Sequence, residues 1–271
     1  MAKCNGKKLK YGDTIYWEDE LNDDFETTSL KRIPVPANYK YYHQNIFYRF
    51  FNRILYFGVC GIIIPIAVKF FGVKVKYLDK EAFKEYRKHG GFIYSNHTSF
   101  LDMIDIQTLF LTKKTHIIGY TDALDMPVVK HIVKHLGYMP LPDTIKSSRA
   151  FMEALKIYTD KKQSIIIYPE AHVWPFYTKI RPYVQTSFKY PAKLLKPALP
   201  ITACYRKSKI SKHAKITLYV GKPVYPNPDL SLKENTEYLH NECYKQMVDC
   251  ASKYSTYEFI NYKQKEKTGE N

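Results

Sequence analysis

Ser164-Ile165-Ile166-Ile167-Tyr168-Pro169-Glu170-Ala171-His172-Val173-Trp174-Pro175 is the most informative stretch of the chain. Its run of isoleucines shows no alternation with polar residues. It therefore reads as a strand buried on both faces, as strands inside parallel sheets are. Pro169 ends the strand, and Glu170 follows at once, at the carboxyl edge of a sheet, where open α/β sheets gather ligand-binding side chains.

Outward from this strand, short apolar runs alternate with amphipathic helical patterns. Phe92–Ser95, His116–Gly119, Tyr138–Leu141, Leu199–Tyr205 and Lys215–Val220 read as further strands, the last closing the sheet. Helices are expected from near Ser99, around 126–136, over Ser147–Thr159, near 187–195, and after Asn235. Phe151, Ala154, Leu155 and Tyr158 share one face of the third of these. Strands alternating with helices imply an α/β fold: a mostly parallel central sheet flanked by helices. A division into four parts follows: a polar N-terminal appendage (1–45), a hydrophobic membrane-association segment (46–76), the α/β domain (77–250) and a C-terminal tail (251–271). The appendage carries an acidic cluster from Glu18 to Glu26, read as solvated or neutralised by the chain's own lysines. The tail reads as disordered from Lys263.

Forty-two Lys and Arg against 26 Asp and Glu give a net charge of +16 in 271 residues, which favours an anionic partner. Nucleic acid, an anionic bilayer face and phosphate-bearing small molecules all satisfy that condition. The five cysteines are scattered without CxxC spacing, so neither a zinc site nor a disulfide framework is expected. The basic N-terminus has no apolar run behind it, which argues against a cleaved signal peptide. An apolar stretch arrives at Ile54–Val68, interrupted by Pro65 and flanked by Arg49 and Arg53 on one side and Lys69, Lys74 and Lys76 on the other. As a helix it reaches only about 22 Å, short of the ~30 Å hydrocarbon core. With cations at both ends, it reads as a segment that dips into a membrane or lies in its interface. A buried core helix is the competing reading.

Ser95-Asn96-His97-Thr98-Ser99-Phe100-Leu101-Asp102 places His97 where a buried strand gives way to a helix. Asp102, in the first helical turn, is in reach of His97 Nδ1. That contact fixes the tautomer and leaves Nε2 to take a proton from a hydroxyl. The spacing is weak evidence alone, since chance supplies about one His–acid pair at any chosen offset. Ser99 to Asp102 also fits a capping box, and the two roles are compatible because a carboxylate has two oxygens.

Taken with the strand quoted first, these residues resemble the glycerolipid acyltransferase family. Asn96-His97 with Asp102 looks like its HX4D block, Tyr168-Pro169-Glu170 like its FPEGTR block, and Lys196-Pro197-Ala198-Leu199-Pro200-Ile201 like its VPI-type strand, with Phe188-Lys189 where the family has FK. The ordered set spans roughly residues 90–225. The resemblance implies transfer of a fatty acyl group from a thioester of coenzyme A or acyl carrier protein to a lysolipid hydroxyl. The expected acceptor is 1-acyl-sn-glycerol-3-phosphate, with a lysolipid of a different head group as the alternative. The reaction needs neither an acyl-enzyme, a cofactor nor a metal. Carried over, His97 is the base, Asp102 its orienter, and Asn96 and Glu170 belong to the substrate-binding blocks. The resemblance also implies attachment to the cytoplasmic face of a membrane through an N-terminal hydrophobic helical segment.

The departures concern the acceptor. Ala171-His172-Val173 stands where the family has Gly-Thr-Arg, so the Arg expected to grip a phosphate is missing. Thr121-Asp122-Ala123-Leu124 and Pro142-Asp143 stand in place of an intermediate block that usually ends in Arg. Lys179 and Arg181 are candidates for the lost phosphate contacts, against a reading as solvated loop cations, and His172 for either an acceptor contact or a structural hydrogen bond. Other histidines, His116, His131, His135 and His213, suggest no partner in sequence. Two rival functions compete. A nucleic-acid-binding protein suits the charge but lacks any matching motif. A metal-dependent hydrolase would need His97, Asp102, Glu170 and His172 around one ion.

Overall fold

The computed structural model describes residues 3–4, 7–25, 34–99, 102–110, 113–121, 135–209 and 212–266. Two short pairing strands, β1 (Lys3–Cys4) and β2 (Lys7–Lys8), precede β3 (Thr14–Trp17). The central sheet then collects β4 (Lys74–Tyr77), β5 (Gly91–Ser95), β6 (Thr115–Gly119), β7 (Tyr138–Pro140), β8 (Ser164–Ile167), β9 (Ala198–Lys207) and β10 (Ala214–Val220). Its strand order is β4-β10-β9-β5-β8-β6-β7, and every neighbouring pair is parallel except β10 with β9. A strand β11 (Asn261–Gln264) closes the order in sequence. The fold is thus the α/β architecture expected, with helices on both faces of a mostly parallel sheet.

The doubly buried reading of β8 holds residue by residue. Ile165 and Ile167 enter one core with Phe151, Leu155 and Met247, while Ile166 enters the opposite core with Ile106, Leu199 and Leu218. Phe92 and Tyr94 of β5 point to the first side and Ile93 to the second, as the pleat requires. The first core is covered by the helices Ile145–Asp160 and Leu232–Tyr254. Both start at full capping boxes, Thr144 with Ser147 and Ser231 with Glu234.

Several expectations are corrected. β10 does not close the sheet: β4 pairs outside it in parallel, so the sheet begins within the stretch read as membrane-associating. A helix at Lys80–His89, capped by Asp79, was not foreseen. Among the described residues, the segments near both ends of the chain are paired and packed. β3 and β11 pair in parallel, so that Lys263 and Gln264 lie opposite Tyr16 and Trp17. Ile15, Phe25, Phe259 and Ile260 bury a third core with Trp174 and Tyr177. The helix ending at Tyr254 also runs past the expected tail boundary. Residues 126–134 of the helix expected at 126–136, the block at 122–124 and His131 lie outside the described residues, and 135–136 form a turn.

The apolar segment is longer than its apolar run. One helical stretch runs from Ile46 to Phe70, 25 residues, about 37 Å at 1.5 Å per residue. Pro65 is absorbed rather than terminating it. The turn Val59–Ile63 widens to a π-helix just before the proline, giving room where its ring and missing N–H would disrupt an α-turn. One stripe docks on the domain. Tyr56 exchanges hydrogen bonds with Thr115 at 2.9 Å, Cys60 donates to Gln107 at 3.0 Å, and Ile64 and Val68 are buried above Val73. The remaining faces carry Ile46, Phe47, Phe50, Phe51, Ile54, Ile62, Ile63, Ile66 and Phe70, all exposed, Phe70 by 85%.

Gly90 ends the Lys80–His89 helix at φ +70°, and a Cβ there would come within 2.5 Å of the Lys162 carbonyl carbon. That close approach lets β5 start beside the turn leading into β8. Gly90→Ala is expected to cost more than about 2 kcal/mol, from the left-handed backbone and the clash together. A drop in urea midpoint at unchanged m-value checks it.

Candidate active site

β5 ends at Ser95, and the chain turns so that Asn96, His97 and Thr98 project at the carboxyl edge of the sheet. His97 Nδ1 lies 3.3 Å from Asp102 Oδ2. The same oxygen accepts the backbone N–H groups of Thr98 at 2.6 Å and Ser99 at 2.8 Å. Asp102 therefore closes the loop and reaches the imidazole at once, so the two roles read from sequence coexist. The histidine ring keeps 16% of its side-chain surface open to solvent, whereas Asp102 keeps 2%. On its other side the ring stacks against Tyr168, centres 4.6 Å apart, and the Tyr168 hydroxyl donates to the Asp102 carbonyl.

The loop that follows β8 is sewn to this turn. Trp174 N–H donates to the His97 carbonyl at 3.2 Å and Phe176 N–H to the Thr98 carbonyl at 2.9 Å. The Tyr205 hydroxyl meets Thr98 from β9. Glu170 supplies the central stitch. Its Oε2 accepts His97 N–H at 3.2 Å and its Oε1 accepts Arg181 N–H at 3.1 Å. Burial pushes its carboxyl above the ordinary value, opposed by the Arg181 guanidinium and these two amides.

The expected binding residues divide sharply. Asn96 is buried, with its amide committed to both the N–H and the carbonyl of Ala203, so it holds the turn to β9 rather than a substrate. Glu170 is likewise enclosed, and acts on the loop backbone instead of facing an acceptor. Arg181 is not a solvated loop cation, because it is fully buried. Its guanidinium donates to the carbonyls of Glu20 at 3.2 Å, of Glu170 at 3.2 Å and of His172, and it packs over Trp174. His172, half-buried, turns to Asp24 at 3.4 Å. Lys179 alone of the group is exposed. Part of the acidic segment thus lies against the site: Trp174 donates to the Asp23 carbonyl, and Glu18 pairs with Lys265.

Three contributors escaped sequence reading. Tyr168 was counted only as part of a block, and Tyr205 belongs to a distant strand with no local signal. Asp105 was legible in principle, one helical turn beyond Asp102. It is fully buried, neither carboxyl oxygen has a hydrogen-bond partner, and burial together with the adjacent Asp102 charge holds its carboxyl well above the usual range. The hydrolase reading fares poorly on donor chemistry. Glu170 and His172 face away toward their own partners, and among the described residues no group of three or more His, Cys, Asp or Glu is placed to hold a metal ion.

Arg181→Met would leave the buried Glu170 carboxylate without its guanidinium partner. Removing one member of such a pair is expected to destabilise by about 3–5 kcal/mol. Lys179→Ala, at an exposed position, should leave the melting temperature within a degree or two of wild type on the usual surface scale of ~0.5 kcal/mol. Equal melts for the Arg181 variant and wild type would return Arg181 to the candidate ligands.

Residues 74–202 match the family model described as Acyltransferase, a span containing His97, Asp102 and Glu170. The crystal structure of the 1-acyl-sn-glycerophosphate (LPA) acyltransferase PlsC from Thermotoga maritima superposes with a TM-score of 0.54. That match is at 17% identity and covers 74% of this chain and 81% of that one. No curated protein sequence matches the chain. The His97–Asp102 pair and the buried Glu170 stitch thus stand at the carboxyl edge of a sheet similar in fold to that of PlsC, within the span, residues 74–202, that matches the Acyltransferase family model.

Proposed function

We propose that the protein transfers a fatty acyl group from an acyl thioester to the hydroxyl of a lysoglycerophospholipid, with 1-acyl-sn-glycerol-3-phosphate the leading acceptor and membrane phospholipid the product. The observation that carries this reading is the His97–Asp102 contact at the mouth of the acyltransferase-family domain. A lipid hydroxyl is too weak an acid to attack a thioester unaided near neutral pH. His97 Nε2 removes its proton as the oxygen attacks the thioester carbonyl, and Asp102 steadies the imidazolium through Nδ1–H. The tetrahedral intermediate collapses with loss of the carrier thiolate, which takes the proton back from the imidazolium. No acyl-enzyme is required. Coenzyme A and acyl carrier protein both supply such a thioester. With Arg181 enclosed, Lys179 is the loop cation left to meet an acceptor phosphate.

Membrane attachment is part of the same proposal. The docked stripe from Tyr56 to Val68 ties the long helix lengthwise to the α/β domain. Crossing a bilayer would drag polar domain surface into hydrocarbon, so the helix rests in the interface with its phenylalanines and isoleucines immersed. Its Ile64–Phe70 end packs beside Asp102–Asp105, which delivers lipid from the apolar face to the catalytic turn without leaving the membrane. The cytoplasmic face is the side expected for a basic surface.

Lipid mass spectrometry after incubation with acyl-coenzyme A or acyl carrier protein and a lysolipid panel tests the reaction. His97→Ala should lose on the order of 10²–10⁴ in rate while staying folded and membrane-bound. Asp102→Asn should be severely slowed, and the double variant should cost little more than the worse single one. Near-normal transfer by His97→Ala in a clean preparation would end this mechanism. For attachment, both ends of the long helix should be cleaved by protease from the same side of sealed vesicles; protection of one end would establish a spanning helix.

A further inference from the structure

At the amino edge of the sheet, opposite the catalytic turn, lies a cavity of about 710 Å³. It is formed where β6, β7 and β8 begin and is walled on one side by the first turns of the long helix. Its size falls within the ~300–1,000 Å³ typical of small-molecule sites. Among the described residues six cations line it, Lys40, Arg49, Arg53, Lys113, Lys114 and Lys161, and no Asp or Glu. Among the described residues none of the six forms an ion pair with a carboxylate. Their recorded contacts are to neutral groups: Lys113 donates to the Arg87 carbonyl at 2.6 Å, Lys114 to Asn52 and to the His135 carbonyl, and Lys161 to the Tyr42 hydroxyl. The Tyr42 ring is shared by two of them, with Lys161 Nζ 4.4 Å and Arg49 Cζ 5.8 Å from its centre. Such crowding of like charge is costly unless an anion completes it. His116, at the cavity floor, adds no charge: it is buried against Gln163, and burial with the nearby Lys114 pushes its pKa down to about 3. Burial also draws Lys114 down to about 8, a cost that a bound anion would relieve.

The rim identifies the anion. Ile46 and Phe50 line the cavity and are also 70% and 60% exposed on the apolar face of the long helix. A ligand held here has its charged part among lysines and arginines and its remainder beside the surface proposed to rest in the bilayer. We infer that this cavity binds the phosphate of an anionic phospholipid, a site separate from the catalytic one, pinning the far end of the helix while the other end serves the active site. Nucleic acid and soluble phosphates share the charge but have no use for the apolar rim.

The inference rests on membrane attachment, and the experiment separates the two. Full-length protein is partitioned onto vesicles of phosphatidylcholine alone and of phosphatidylcholine with a minor fraction of phosphatidylglycerol, at physiological ionic strength. Binding to the neutral vesicles reports the helix, and the excess on anionic vesicles reports the cavity. Arg49→Gln with Lys161→Gln, both exposed and outside the catalytic turn, should lower the anionic excess more than about 25-fold, beyond the roughly five-fold expected for each of two surface basic residues. Neutral binding and the circular dichroism melt should be unchanged. The control Lys233→Gln with Lys245→Gln removes the same charge from the Leu232–Tyr254 helix and should change the excess less than about two-fold at this screening length. Equal losses from both double variants, or no anionic excess in wild type, would overturn the inference by reducing the effect to net charge or to nothing. Release from anionic vesicles by millimolar inorganic phosphate at matched ionic strength would overturn it in favour of a soluble anion.

Discussion

Glu170 holds a carboxylate in the protein interior and gives one oxygen to the backbone N–H of His97 and the other to that of Arg181. Two loops that leave different strands, β5 and β8, are thereby tied at the point where each would otherwise be free. Arg181 completes the arrangement from below, filling the space between Glu170, the His172 carbonyl and the N-terminal segment. A buried pair of this kind adds little net stability, because desolvation offsets the attraction. What it provides is position. The backbone of His97 is held by Glu170 and Trp174, its ring by Asp102 and Tyr168, and so the imidazole has few orientations left. A base that must meet a hydroxyl within hydrogen-bond reach benefits from that restriction more than from any single strong contact.

The long helix extends the same logic from the His97 turn to the surroundings. Its π-turn shifts the register by enough to keep Tyr56, Cys60, Ile64 and Val68 on one stripe past a proline. Tyr56 meets Thr115 at the start of β6 and the Ile64–Phe70 end packs beside Asp102–Asp105, so the helix lies along the sheet from its amino edge to its carboxyl edge. A cationic cavity and the His97 turn therefore stand at the two ends of one apolar surface. Such a surface is far larger than scattered apolar residues on soluble proteins require, and it implies a partner of matching extent.

The ends of the chain show where local reading misleads. Thr14–Trp17 and Asn261–Gln264 are short, flanked by lysines and acids, and carry no period long enough to register. Each becomes a strand only because the other is present, some 250 residues away, and because Trp174 and Tyr262 stack between them and the active-site loop. Polar composition was a fair description of these segments and a poor guide to their place. The same holds for Arg181. A cation two residues from Lys179 in a loop after a strand looks like a surface charge until the backbone carbonyls that surround it are known.

Local chemistry decided much of this protein. The isoleucine run of β8, the alternation of apolar runs with amphipathic helices, and the turn residues between them dictate an α/β sheet, because a strand without a polar face must be covered on both sides. His97 and Asp102, five residues apart across a strand-to-helix turn, were legible as a pair for the same reason: the contact is local, and the backbone geometry of such turns is restricted. Tertiary structure alone decided which side chains face outward. Asn96, Glu170 and Arg181 bear the groups a substrate site uses, yet each finds its partner in Ala203, His97 or Glu20, from segments remote in sequence. Whether a polar side chain serves a ligand or the fold depends on what the rest of the chain brings within 3 Å of it, and sequence separation carries no information about that distance.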